Sequence, residues 1–257
     1  MLFDRADHPA HLVDLLELCL GGGLGVGGGV GLQAAMQDGS TDFLDESPLN
    51  RLDEREDGLF YSKPRLVQHI DSNAIISIGD IYRRFLQPGM RVLDFMSSWV
   101  SHLPEDLDDI TVTGLGMNAE ELQQNTRLAS HVVHDVNLEP RLPFEDATFD
   151  AVICTASVEY LVQPVEVFRE LARVVKPGGR VVMTFSDRWF PTKAIELWSE
   201  LHPFERMGLV LEYFMRSGGF KNLQTYSIRG LPRPHDDKYY PDLLYSDPIY
   251  AVWGQKT

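Results

Sequence analysis

Phe149-Asp-Ala-Val-Ile-Cys-Thr-Ala-Ser-Val-Glu-Tyr-Leu161, followed by Pro164-Val-Glu-Val-Phe-Arg-Glu-Leu-Ala-Arg-Val-Val-Lys-Pro-Gly-Gly-Arg-Val-Val-Met-Thr-Phe185, decides the fold of this chain. It reads as an apolar strand, a loop, an amphipathic helix stopped at Lys176-Pro-Gly-Gly179, and a second apolar strand. That is one β-α-β unit of a parallel sheet. Ligands of such sheets sit beyond the carboxyl ends of the strands, so the loop from Thr155 to Tyr160 is where function is sought first.

Outward from this unit the pattern stays regular back to Tyr61. Pro64 to Leu86 is helical in character, with Ile70, Ala74, Ile78, Ile81 and Phe85 on one face and Gln87-Pro-Gly89 as the stop. Arg91-Val-Leu-Asp-Phe95 reads as a first strand and Asp109 to Leu115 as a second. Ala119 to Ser130 supplies the next helix, and His131-Val-Val-His134 a short third strand. The quoted unit holds the fourth and fifth. Two helical segments follow, Lys193 to Leu201 and Phe204 to Ser217. Asn222 to Ile228 and Pro248 to Trp253 are strands joined by a loop, so they are expected to pair antiparallel. The prediction is an α/β fold: a Rossmann-like, doubly wound sheet of five parallel strands with a C-terminal antiparallel hairpin.

The first sixty residues differ in kind. Residues 1–20 suit a short helix, Gly21 to Gly31 breaks it, and residues 38–58 are rich in Asp and Glu among turn formers, as in a solvated connector. Gly23-x-Gly25-x-x-Gly28 has the form of a dinucleotide fingerprint, but no strand precedes it and no acid follows at the right distance, so it reads as a linker. This weakens a nucleotide-sugar or nicotinamide enzyme. The expected division is residues 1–60 as an appendage and 61–257 as one domain, with a helical lid insertion around 188–217.

The net charge of −15, from 38 acids and 23 bases, and the lack of a Lys/Arg cluster oppose nucleic acid as a partner. Cys19 and Cys154 are too few for a disulfide framework or a Cys-rich metal site, and a reducing cytoplasm is the default. The apolar run from Leu15 to Leu32 is diluted by glycine and preceded by Asp14, unlike a signal peptide or membrane span.

Residues 61–257 resemble a class I S-adenosylmethionine-dependent methyltransferase of the small-molecule branch called type 11. The resemblance rests on Val92-Leu-Asp94, Val112-x-Gly114, Leu142-Pro-Phe-x-Asp146 with Phe149-Asp-Ala-Val152, and Leu171-x-Arg-Val-Val-Lys-Pro-Gly-Gly179. It implies the seven-stranded methyltransferase fold and S-adenosyl-L-methionine bound across the ends of strands one, two and four. Asp94 then sits at the methionine end, and Asp135 with Val136 at the adenine. Thr155 and Ser157 close the pocket, and Tyr61 covers the methyl group with an aromatic face suited to a sulfonium.

Two departures stand out. The family's glycine-rich turn after the first strand is replaced by Phe95-Met96-Ser97-Ser98-Trp99-Val-Ser101-His102, whose hydroxyls are expected to substitute for backbone contacts. The ribose carboxylate at the end of the second strand is replaced by Gly116, leaving Asn118 as a neutral acceptor; Glu120 or Glu121 reaching back is the alternative, though first-turn acids more often serve the helix dipole. Candidates for a base, where one is needed, are His69, His102 and Tyr160, with Glu159 behind them. The expected activity is methyl transfer to a small-molecule acceptor by direct in-line displacement, through an apolar vestibule made by the aromatics of residues 189–214. O, N, S and C all stay open as the acceptor atom, and a second reading, a catalytically inactive methyltransferase-like scaffold, rests on the same two departures.

Overall fold

The computed structural model describes residues 31–35 and 49–257. The predicted N-terminal helix and the glycine fingerprint lie outside the described residues. Within them the elements are β1 (Gly31–Ala35), α1 (Asp57–Phe60), α2 (Ser72–Arg83), β2 (Arg91–Phe95), β3 (Thr111–Gly116), α3 (Ala119–Gln124), β4 (Ser130–Val133) and β5 (Phe149–Thr155). After a 3-10 turn at Val158–Tyr160 come α4 (Pro164–Val174), β6 (Val175–Phe185), α5 (Glu196–Glu200), α6 (Pro203–Ser217), β7 (Phe220–Ile228) and β8 (Ile249–Lys256).

The strands form one sheet in the order β1-β7-β8-β6-β5-β2-β3-β4. β4, β3, β2, β5 and β6 are parallel, and β8 and β7 add antiparallel, as the loop between them requires. β1, which the sequence reading did not anticipate, extends the sheet antiparallel to β7. The strand order reverses between β2 and β5, which opens the crevice where doubly wound sheets take ligands.

Alternation fixes the two layers. Val152 and Cys154 of β5 face α4 and α6, where Phe168, Leu171, Leu211 and Phe214 are buried. Ala151 and Ile153 face α2 through Ala74, Ile78 and Ile81. α4 starts with Pro164 in its first turn and buries the Val167, Phe168 and Leu171 stripe.

Four predicted helices or stops come out shorter or different, each for a local reason. α2 starts at Ser72 rather than Pro64, because Asp71 caps it by accepting from Ala74 N at 3.1 Å. α3 ends at Gln124, because the Asn125 side chain turns inward to donate to Ser98 O and Ser101 Oγ, both at 2.9 Å. Lys193 lies outside α5: its ammonium is fully buried and reaches back to Asp57 at 2.9 Å. At Lys176-Pro-Gly-Gly179 the chain enters β6 directly, through an irregular pairing with β5 that leaves Gly178 at φ 82°.

The acidic stretch is only partly solvated over its described part, with Glu54 and Glu56 exposed. Arg51 bridges to Ile195, and Arg51 and Asp57 are buried. Among the described residues no helix is long and apolar enough to cross a membrane.

Candidate functional site

Above the carboxyl ends of β2, β3 and β5 lies one cavity, and every predicted site residue lines it. What each side chain does there differs from the expectation at several positions.

Asp94, the last polar residue of β2, is buried. Burial pushes its carboxyl up to about 6, against the opposing pull of the Ser101 and Ser97 hydroxyls, each donating to Oδ2 at 2.6 Å. The loop that replaces the glycine turn is therefore ordered around the acid. Met96 adopts φ 54°, the left-handed conformation that glycine usually supplies, at a strain of about 1 kcal/mol. Ser97 N donates to Leu115 O at 2.7 Å, which pins the loop to the end of β3.

That pinning accounts for Gly116. A Cβ there would stand 2.1 Å from the Ser97 carbonyl oxygen, so no acid fits where the family places its ribose carboxylate. Asn118 does not fill the gap with a free side chain. Its Oδ1 accepts from Glu121 N at 3.0 Å as the cap of α3, and its Nδ2 donates to Tyr61 O at 2.8 Å. The carboxylate in this part of the cavity is Glu121, buried and held by Ser98 Oγ at 2.6 Å and by the backbone N–H of Arg65 at 2.7 Å. An acid in the third helical position is indistinguishable in sequence from one serving the dipole.

At the third strand end, Asp135 accepts from Asn137 N at 3.0 Å and Leu138 N at 3.2 Å, a turn that also presents the side chain to the cavity. Val136 is buried beside it. The hydroxyls of Thr155 and Tyr82 share a hydrogen bond of 2.5 Å, and Ser157 Oγ donates to Thr155 O at 3.0 Å. These two residues shape the cavity mainly with backbone, helped by Ala156 at φ 47°.

The opposite wall comes from residues 57–70 and 188–190. Asp57 faces the cavity and accepts from Arg51 at 2.8 and 2.9 Å, Asn137 Nδ2 at 2.9 Å and Lys193 at 2.9 Å. Burial opposes its charge, but these three donors outweigh burial and hold its carboxyl below the usual range. Tyr61 and Phe60 pack edge to face, and Phe60 meets Phe190 at 5.4 Å. Trp99 Nε1 donates to Val67 O at 3.3 Å and joins the two walls.

Burial moves all three predicted bases away from their ordinary values, and His102 and Tyr160 furthest from neutral pH. His102, at φ 52°, is pulled down to about 4 by burial, and its Nδ1 has no partner. His69 is lowered by burial and by Lys238 and Arg65. Burial pushes Tyr160 up, and its oxygen accepts from Phe190 N at 3.0 Å.

The expected aromatic vestibule is only partly made. From the insertion, Arg188 and Phe190 line the cavity, whereas Trp198, Tyr213 and Phe214 are core residues. The wall is not purely apolar, since Arg65 and Arg188 stand among its rings. Asp57, Arg65, Asn137 and Arg188 carried no motif that would have singled them out, because they come from segments outside the strand–loop–helix repeats.

Comparison with known proteins agrees with this geometry. A family model described as a methyltransferase domain matches residues 97–183. The ubiquinone/menaquinone biosynthesis C-methyltransferase UbiE of Laribacter hongkongensis is 26% identical over 159 residues, covering 57% of this chain and 63% of the relative. UbiE of Bartonella tribocorum is 30% identical over 131 residues, covering 50% of this chain and 48% of the relative. The chain thus spans less than two thirds of the length of the curated relatives it matches. Among solved structures, an S-adenosylmethionine-dependent methyltransferase of Thermotoga maritima, described as a possible histamine N-methyltransferase, superposes with TM-score 0.51 at 16% identity, over 72% of this chain and 90% of that one. The [4+2]-cyclase SpnF shares the fold equally well, with TM-score 0.51 at 17% identity, over 75% of this chain and 88% of that one. The matched segment, residues 97–183, is thus similar to methyltransferase domains, and the whole sheet has the fold of the S-adenosylmethionine-dependent methyltransferases among solved structures.

Proposed function

We propose that this protein transfers the methyl group of S-adenosyl-L-methionine to a small-molecule acceptor by direct in-line displacement. The observation that carries the reading is Asp94: a buried carboxyl at the switch point of the sheet, held by two hydroxyls and facing the cavity with no Lys or Arg paired to it among the described residues. Such a group suits the ammonium of the cofactor's methionine part. Asp135 suits the adenine amino group, and Glu121 the ribose hydroxyls in place of the acid that Gly116 excludes. When bound, the sulfonium supplies an activated methyl, whose carbon gains a bond to the acceptor as its bond to sulfur breaks.

The chain's own residues then need only align the acceptor and exclude water. Tyr61, Phe60 and Phe190 form the apolar cover, and Trp99 closes the seam between the walls. The names of the UbiE relatives, C-methyltransferases, favour carbon as the accepting atom. The ordered hydroxyls around Asp94 weigh against the inactive scaffold, because a decayed loop has no reason to keep both serines on one buried acid.

Calorimetric titration with S-adenosyl-L-methionine, paired with thermal melting, tests the reading. Binding to the native state must raise the melting temperature. Absence of heat and of any such rise at millimolar cofactor would overturn it.

A further inference from the structure

The acceptor wall carries one cation, Arg65, that the fold leaves without an acidic partner among the described residues, and a second, Arg188, that is partly paired. Arg65 has no carboxylate partner among the described residues. Its guanidinium lies 4.4 Å from the Phe60 ring centre and 5.3 Å from that of Phe190, and Nη2 donates to Phe60 O at 3.0 Å. Nη1 is withdrawn from solvent and bonds to nothing. Ring faces offset part of that desolvation, but a guanidinium nitrogen without an acceptor is costly unless something else supplies one. Arg188 lines the same cavity. Only its Nε is engaged by a carboxylate, Asp247 at 3.0 Å, and its guanidinium rests on Tyr239 at 4.6 Å. The acid on this wall, Asp57, is already compensated by Arg51 and Lys193. In a chain of net charge −15, Arg65 therefore stands in the cavity without a carboxylate on its guanidinium, while Glu121, the acid across from it, is bonded to Ser98 and to the Arg65 backbone N–H.

The geometry points to an acceptor that carries an anionic oxygen, a carboxylate or an ionised hydroxyl, paired with Arg65 and with Arg188 nearer the mouth. The poor tuning of His102 and Tyr160 as bases fits this, because an acceptor that arrives ionised needs none. Arg65 is then the specificity-determining residue of the acceptor side. Its fork of donors meets two oxygens at once, and the flanking Phe60 and Phe190 rings hold it in place. The inference deepens the methyl-transfer reading and rests on it for the name of the site.

Calorimetry on the full chain with two matched probe pairs tests it: benzoate against benzamide, and 4-nitrophenolate against 4-nitroanisole. The expected result is that at least one anion binds about tenfold tighter than its neutral counterpart, the scale of one charge-assisted hydrogen bond. The pair that shows the preference tells carboxylate from ionised hydroxyl. Arg65→Gln should abolish the preference and Arg65→Lys should keep part of it. Equal or absent binding within both pairs on the unmodified protein overturns the inference without need of a variant, and so does a preference that survives Arg65→Gln. Melting of the same samples with S-adenosyl-L-methionine separates the two claims. Failure there removes the methyl-transfer reading, whereas a normal shift with no anion preference removes only this one.

Discussion

The two walls of the cavity are built by different means. The cofactor wall grows from the ends of β2, β3 and β5, whose backbone is fixed by the sheet, and its loops are closed by short local bonds: Ser97 and Ser101 onto Asp94, Asn118 onto α3. The acceptor wall grows from residues 57–70 and 188–195, which belong to no strand. It is held by one buried charge cluster in which Asp57 meets Arg51, Lys193 and Asn137. A sheet edge can vary its loop sequence and keep its geometry, but a wall tied by charges depends on each member of the cluster.

The largest expected effect comes from cutting that tie. Asp57→Ala leaves Arg51 and the fully buried Lys193 short of their shared carboxylate, and breaking a buried pair in this way costs about 3–5 kcal/mol. Denaturant unfolding should show that loss. Hydrogen exchange should show it concentrated in residues 51–65 and 188–195, with the amides of β2, β3 and β5 still protected. Protection lost evenly across the sheet would erase the distinction between the walls.

The same distinction decides what the sequence made legible. The identities of seven strands and the parallel-then-antiparallel topology followed from apolar runs and turn signals, and the place of the cavity beyond the strand ends followed from that topology. Helix boundaries failed where a side chain intervened across space. Asn125 ends α3 because the loop after β2 needs its amide, and Lys193 is held out of α5 by an acid more than a hundred residues away. Glu121 was visible as a first-turn acid, but its partners Ser98 and Arg65 N become neighbours only once the sheet is formed. Gly116 looked like a lost acid, and the fold shows the reason for the loss in the Ser97 carbonyl that occupies the space.

A second prediction sharpens the cofactor side. Burial raises the Asp94 carboxyl to about 6 in the free protein. A raised acid holds a proton that the unfolded chain has released, so its contribution to stability declines as pH rises from the ordinary carboxylate value through about 6. Binding of a cationic group runs the other way, because only the ionised carboxyl attracts it. Cofactor affinity should therefore fall below pH 6, approaching about tenfold per pH unit, or roughly 1.4 kcal/mol. Asp94→Asn should flatten that profile and bind as the acidic form does. A profile unchanged by this substitution would move the ammonium site elsewhere in the cavity.

The smallest effect is expected at Asn118, the residue that touches both walls. The sequence suggested it as a ribose ligand, and its loss would then weaken cofactor binding by about 1 kcal/mol. In the structure its oxygen caps α3 by accepting from Glu121 N, and its nitrogen holds the Tyr61 carbonyl. Asn118→Ala should therefore lower stability by about 1 kcal/mol, the usual cost of a lost cap, while cofactor affinity changes by less than that. Asn118→Ser, which caps as well but cannot reach Tyr61 with a second donor, should recover the stability and leave only the tether to the acceptor wall broken. Unfolding and titration of the two variants side by side give the answer. A full 1 kcal/mol loss of cofactor affinity in both, with unfolding unchanged, would make Asn118 a ligand after all and leave the helix to be held by its neighbours.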